Sequence, residues 1–443
     1  MSPSFGWPIL LCLLRRALAS KEELRMISKV LYPILMILTM LAMVLGCDGE
    51  DETIAPSSTP SPELVTITIG NITDETGIYS ELMSIANMAL EDMVAYYNDN
   101  NLIPGVHLDV ISYDTEYDPA KIFPGYDWLK EHGADIIWAP LPSQEPSPSS
   151  LIESKLIEDG ILLFSQEINT SDLHQSGNNY RFGCPSRHQI FTLLDWIREN
   201  DPQFPTDHPA RVGIARYADD NSKEVLTSIE EYVASAPNDA YLPWVEEYIA
   251  YFDFAWRAGA GEVLKDCDYV FVSVPMTYFI KQFESSGYTT NFISLEDNTN
   301  VLSFVTEQEL WGSIDGMLFC LSHSWWTDDT LMIDLLNDLM NEKHPYQAED
   351  IIEMGGPYLL AIDAYIMLEI IREAAKSVGP ENISLQTLKN TAQSFSMSID
   401  GCPYSFSETK RTSNDAVGIY RIDADNKTLI RADPDWVPIM TEP

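Results

Sequence analysis

From Leu64 onward the apolar and polar positions of this chain alternate between two periods, and that alternation predicts a fold before any motif is considered. Leu64 to Ile69 alternates as a strand, and Leu82, Ile85, Ala86, Ala89, Met93 and Tyr96 then recur at helical spacing on one face. Val106 to Ile111 predicts a second strand, Asp118 to His132 a helix, Asp135 to Trp138 a strand, Ser150 to Asp159 a helix and Ile161 to Phe164 a strand. A second set begins near Arg187, with a helix over Ile190 to Glu199, a strand over Arg211 to Arg216, and Ser222 as cap of a helix from Lys223 to Ala234. Tyr269 to Val274 is nearly all apolar, as a strand buried on both faces would be. Met276 to Glu284, Asn291 to Leu295, Gly316 to Leu321 and Leu331 to Met340 continue the alternation, and Pro357 opens a long helix through Ala375 that Gly379-Pro380 stops. Strands alternating with helices imply an α/β fold with parallel, helix-covered sheets, and two such sets imply two lobes with a cleft between them.

Before Leu64 the pattern changes twice. Asp48 to Glu63 is acidic and rich in Pro and Ser, with few groups able to form a core, and reads as an extended tether. Ahead of it, Val30 to Leu45 is predominantly apolar behind Arg25 and Lys29, as an export signal requires. The junction Val44-Leu45-Gly46-Cys47 resembles a bacterial lipobox, in which Cys47 becomes the lipidated first residue of the mature chain. An uncleaved anchor is the alternative, because the run lies at the lower edge of the roughly 17 to 25 residues that span a bilayer. Either way, everything after Cys47 is expected in the cell envelope, outside the cytoplasm and tethered to a membrane. A second apolar patch, Trp7 to Leu14, followed by Arg15-Arg16, makes Met26 an alternative start.

Composition narrows the partners. The formal net charge is −42, and a chain this acidic repels phosphate backbones, so no nucleic acid is expected to bind it. The cysteines beyond Cys47 (Cys184, Cys267, Cys320 and Cys402) are too widely spaced for a small disulfide scaffold, and their pairing is not legible from sequence. The histidines are scattered, with no pair at the spacing of a helical zinc site, so no metal is expected. There is no G-x-S-x-G elbow and no phosphate-cradling loop, and Gly259-Ala260-Gly261 lacks the third glycine and preceding strand of a dinucleotide fingerprint. No cofactor is expected. The paired acids Asp219-Asp220 and Asp328-Asp329 read as solvated surface in so acidic a chain.

Three stretches carry a family resemblance: the run from VTITIGNITDETGIYSEL through ISYDTEYDP, then ADIIWAPLPSQEPSPSSLIESKLIEDGILLFSQEINTSDL, then GGPYLLAIDAYIMLEII. Together they resemble the branched-chain amino-acid type of extracytoplasmic solute-binding protein, with the type I periplasmic-binding-protein fold, over about Leu64 to Asp433. The resemblance implies two Rossmann-like lobes joined by three crossovers, closing by hinge motion around a small solute. It implies residues 1–47 as leader, 48–63 as tether, 64–184 with about 300–398 as the first lobe, and 185–299 with about 399–443 as the second.

The resemblance also implies a ligand site. Tyr79, in Gly77-Ile78-Tyr79, takes the place of a tyrosine that closes over the ligand, and Ser143 that of a serine whose hydroxyl holds the ligand carboxylate. Ile168 and Asn169 take the ligand-contact positions of the loop after the fourth strand, although Glu167 replaces a small residue there. Glu296 falls where the family has an acid pairing the ligand ammonium, and Tyr358 where it has a pocket tyrosine. Asn221 and Met276 stand at ligand-facing positions of the second lobe where the family usually has a Tyr-Gly pair and a tyrosine, so a leucine-like ligand is not assured. The Trp325-Trp326 pair reads either as the cleft rim or as loop packing.

The expected function is capture of an amino-acid-like small solute by a monomeric lipoprotein and its delivery to an ABC permease. A ligand sensor on the same fold is the alternative. A membrane-tethered hydrolase is disfavoured, because no nucleophile, base and orienting group assemble from the motifs.

Overall fold

The strand Val65–Thr73 (β1) is paired on both edges, so its apolar residues Ile67, Ile69 and Ile72 are buried rather than alternating with solvent. The computed structural model describes residues 64–141, 147–166, 177–250 and 260–443, all within one unit spanning Pro62–Pro443. From β1 the chain runs through helix α1 (Ser80–Asp99), β2 (Val106–Asp114), α2 (Ile122–Glu131), β3 (Ile136–Ala139), α3 (Pro148–Asp159), β4 (Leu162–Ser165) and β5 (Asn179–Arg181). These strands form a parallel sheet in the order β2-β1-β3-β4-β5. Ser147 caps α3 by accepting from the Ser150 amide, with Pro148 in the first turn, and Gly160 ends it in the left-handed conformation at φ 75°.

The second lobe follows as α4 (Ser186–Asn200), β6 (Ala210–Tyr217), α5 (Asp220–Ser235), β7 (Tyr241–Ala250), α6 (Ala260–Leu264), β8 (Tyr269–Val272), α7 (Thr277–Ser285), β9 (Asn291–Leu295), α8 (Leu302–Glu307) and β10 (Leu318–Leu321). The chain then returns to the first lobe through α9 (Leu331–Lys343), α10 (Ala348–Met354), α11 (Ala361–Val378) and α12 (Leu385–Ala392), with α11 packed on α1. A hairpin, β11 (Ser396–Ile399) and β12 (Cys402–Ser405), precedes β13 (Ala416–Asp423), β14 (Thr428–Arg431) and β15 (Val437–Pro438). The second sheet has the order β14-β13-β10-β9-β8-β6-β7, parallel from β7 to β10 and antiparallel at β13 and β14. Among the described residues no single helix is long and apolar enough to cross a membrane.

Three expectations are corrected here. The first lobe does not resume near residue 300, because Leu318–Leu321, buried along its whole length, is inserted between β9 and β13 and stays with the second sheet; the return comes after it. Ser222 is not the cap of α5. Asp219 is, its carboxylate accepting from the Ser222 amide and hydroxyl at 2.8 Å each, since a carboxylate reaches the orphan N–H groups of the first turn and its charge suits the helix N-terminus. Asp328 is not solvated surface: its side chain is 6% exposed and is held by Arg431, Tyr420 and the Trp325 amide.

The three crossings between lobes lie side by side. Phe182–Pro185, the segment after Leu321 and the segment before Ala416 are tied together around Ser322. The Ser322 hydroxyl accepts from the Cys184 amide at 3.0 Å, and its carbonyl accepts from the Tyr404 hydroxyl at 3.1 Å and from the Asn414 side-chain amide. The Ser413 hydroxyl accepts from the Gly183 amide, and Arg181 exchanges backbone bonds with Arg411 and Ser413. Cys184, Cys267, Cys320 and Cys402 are buried free thiols.

Candidate functional site

A cavity opens against these crossings, at the carboxyl ends of strands from both sheets, where open parallel sheets place their ligands. The end of β4 contributes Gln166, and the end of β5 contributes Arg181 and Gly183. The end of β9 contributes Glu296 and Asp297, the end of β10 Ser322 and His323, and the first turn of α11 Asp363. The cavity measures about 60 Å³, where one water needs about 10–15 Å³, so it admits a handful of waters or a small, thin solute.

Three acidic residues, Glu296, Asp297 and Asp363, and one arginine, Arg181, line the cavity among the described residues. Glu296 is saturated: Oε1 accepts from Gln189 Nε2 at 2.9 Å and the Ser322 hydroxyl at 3.0 Å, and Oε2 from the Ser322 amide at 2.8 Å. Burial nevertheless outweighs these bonds and raises its pKa above the ordinary glutamate value. Asp297 borders the cavity opening with no donor among the described residues, and surrounding protein, then the charge of Glu296, push it up to about 7. Asp363 is 6% exposed. Its Oδ2 accepts from Gln166 Nε2, and burial, only partly offset by that bond, together with the Glu296 charge pushes it up to about 8. Asp297 is nevertheless exposed along the cavity lining, so water screens it more than it screens Asp363. Burial lowers the pKa of His323, whose Nδ1 lies 3.0 Å from the Ser324 carbonyl.

The structure brings some of the sequence-derived residues together and sends others elsewhere. Glu296 lies at the cavity floor. Tyr79 stands in a turn that Asp74 holds by accepting from the Gly77 and Tyr79 amides, with its ring 4.5 Å from that of Tyr117. Its pKa is raised by burial, with the charges of Asp297 and Asp219 contributing, and it is not among the residues that line the cavity. Asn221 is half-buried in the first turn of α5, close to Asp219. Met276 is fully buried among Phe279, Ile280 and their neighbours, so it is a core side chain rather than a cavity wall. Tyr358 is likewise 0% exposed, donating to Asp92 Oδ2 at 2.7 Å. The Trp325 ring is buried and the Trp326 indole donates to the Gly355 carbonyl, so this pair packs a loop. Ser143, Ile168, Asn169 and Cys47 lie outside the described residues.

The core position of Tyr358 has a measurable consequence. Tyr358→Phe is expected to cost about 1–3 kcal/mol, because Asp92 then keeps only His344 Nε2 at 2.8 Å, while solute affinity stays unchanged. Denaturant unfolding beside calorimetric titration checks it, and a large loss of affinity would return this tyrosine to the pocket.

Asp297, Asp363, Gln166, Gln189 and Ser322 were not anticipated. Asp363 alone had a visible signal, a charged residue inside the apolar run Leu359 to Ile371, where a buried acid needs a reason.

Comparison with known proteins agrees with this architecture. The periplasmic binding protein family profile matches residues 66–427. No curated protein matches the chain. Among solved structures, an ABC transporter substrate-binding protein from Sphaerobacter thermophilus aligns at TM-score 0.68 and 13% identity, over 84% of this chain and 98% of that one. A branched-chain amino acid ABC transporter structure from Thermus thermophilus with bound valine aligns at TM-score 0.66 and 13% identity, over 85% and 97%. A solute-binding protein from R. palustris in complex with 4-hydroxybenzoate aligns at 0.65 and 14%, over 84% and 97%. At such identities these structures share a fold, and their ligands are their own. With two lobes, three side-by-side crossings and a cavity between the sheet ends, the chain belongs to the type I periplasmic binding protein family.

Proposed function

We propose that the protein is a lipid-anchored, extracytoplasmic receptor that captures a small amino-bearing solute between its lobes and delivers it to an ABC importer, with no reaction of its own. The observation that carries this reading is the cluster of Glu296, Asp297 and Asp363 around a cavity that contains a single guanidinium, Arg181. An ammonium entering such a site replaces protons on the carboxyls and relieves their mutual repulsion, whereas a simple carboxylate meets like charge.

Binding of amines, amino acids, amides and carboxylates, followed by thermal shift and calorimetry on the intact protein, tests this, since a ligand stabilises with the logarithm of its saturation. Asp297→Asn is the cleaner variant, because neither oxygen of Asp297 has a donor among the described residues; Glu296→Gln sets an amide N–H against the Ser322 donors. We expect Asp297→Asn to weaken an amino-bearing ligand by about tenfold, the worth of roughly 1.4 kcal/mol. Tighter binding of benzoate than of any amine would overturn the reading. For the anchor, Cys47→Ser is expected to move the protein from the membrane to the soluble fraction, and persistent membrane association would mean an uncleaved span.

A further inference from the structure

We propose that the cleft selects a solute with two separated cationic nitrogens, a short diamine, one nitrogen lying between Glu296 and Asp297 of the second lobe and the other against Asp363 of the first. This rests on the function proposed above and specifies its ligand. The site itself is established by the interlobe cavity and the family; the acids decide the charge of what enters it.

The argument starts from where the acids come from. Glu296 and Asp297 follow β9, in the second sheet, while Asp363 is carried by α11, which packs on α1 in the first lobe. Closing the lobes therefore brings acids from both sides onto one small solute, and neither side supplies a compensating lysine: the cavity holds Arg181 alone among Lys and Arg side chains of the described lining. A single ammonium leaves the lining with one negative charge in excess, which the partly buried Glu296 and the buried Asp363 relieve by taking up a proton. A second cation on a solute without a carboxylate brings the lining to neutrality without protons, whereas a basic amino acid restores one negative charge.

The vacant bonding positions point the same way. Gln189 and Ser322 occupy both oxygens of Glu296, so it supplies charge rather than acceptor sites. Asp297, exposed, has no donor on either oxygen among the described residues, and Asp363, nine-tenths buried and lining the cavity, has Gln166 on Oδ2 and no described donor on Oδ1. Two acceptor sites on opposite lobes fit two N–H-rich groups on one chain. The upward shifts of Asp297 and Asp363 point the same way, since a cation beside either carboxyl would take the place of a proton. A strongly acidic protein also concentrates small cations around itself, more so at low salt.

Calorimetry on the full protein at a pH above the range of both carboxyls tests the proposal with 1,4-diaminobutane, lysine, butylamine, valine and N-acetyl-1,4-diaminobutane. We expect the diamine to bind at least about tenfold tighter than butylamine and valine, with lysine between them because its carboxylate restores one negative charge, and acetylation of one nitrogen to remove the diamine's advantage. Asp363→Asn is expected to weaken the diamine more than butylamine and so abolish the preference for two nitrogens, whereas Asp297→Asn weakens both alike. Acetylation having no effect, or a preference that survives Asp363→Asn, overturns the proposal and leaves amine capture standing. Failure of every amine to bind defeats the proposed function itself. The acetylated probe needs no variant, so the test holds even where Asp363→Asn does not fold.

Discussion

Asp328→Ala is expected to destabilise the protein by about 3–5 kcal/mol, the range for removing one partner of a buried ion pair. Asp328 Oδ2 accepts from Arg431 Nη2 at 3.1 Å and Nε at 3.2 Å, from the Tyr420 hydroxyl at 2.6 Å and from the Trp325 amide at 3.2 Å. One carboxylate thus joins the second crossing, β13 and β14. Arg431 is also stacked 4.0 Å from the Trp436 ring and 4.7 Å from that of Tyr420, so it cannot turn outward to find another acceptor without giving up both rings. The adjacent and exposed Asp329, changed to alanine, is expected to shift stability by less than about 0.5 kcal/mol. Urea unfolding of the two variants measures the contrast, and equal effects would mean that Asp328 behaves as a surface acid.

Solute affinity is expected to rise steeply between pH 6 and pH 8.5. Asp297 is pushed up to about 7 and Asp363 to about 8, so both are largely neutral at pH 6 and ionised above pH 8. Glu296 is raised in the same direction. Cation binding requires the ionised forms, and each carboxyl that must lose its proton adds up to about tenfold in affinity per pH unit below its pKa. The unliganded protein responds with the opposite sign. A carboxyl whose folded pKa exceeds its unfolded value binds more protons when folded, so its contribution to stability is complete below the unfolded value near 4 and is lost as pH rises through the folded one. His323, depressed by burial, contributes stability above its unfolded value near 6.5 that is lost as pH falls. Titration calorimetry in two buffers of different protonation enthalpy reads the released protons directly; pH-independent affinity with no proton release would remove these carboxyls from the site.

The elements that were legible are those whose partners lie nearby in the chain. The α1 stripe through Ile85, Ala86, Ala89 and Met93 is buried as its spacing implies, and Tyr269–Val272 is buried along its length as its unbroken apolar run implies. The edge strand β7 and the returning strands β13 and β14 gave weaker signals: β7 contains Pro243, Glu246 and Glu247, tolerable only because one of its edges is unpaired. Within the site, Glu296 was reached through the resemblance, but its saturation by Gln189 and Ser322 was not, since those donors are brought to it by other crossings. Tyr358 and Met276 were misplaced for a related reason. An aromatic or sulfur side chain reads alike whether it faces a cleft or a core, and only the neighbours, Asp92 for one and Phe279 for the other, distinguish them.

By itself the sequence determined the class of the molecule: apolar periods switching between strand and helix specify parallel, helix-covered sheets. These are local properties, set by spacing of two to four residues and by composition. Only the tertiary structure decided which acids meet. Glu296, Asp297 and Asp363 acquire their common field because β9 and α11 converge at the crossings, and Asp328 becomes a buried clasp because β13 and β14 fold back over it. A carboxylate's charge is written in the sequence, but its proton affinity and its partner depend on how much water and which charges the fold leaves beside it.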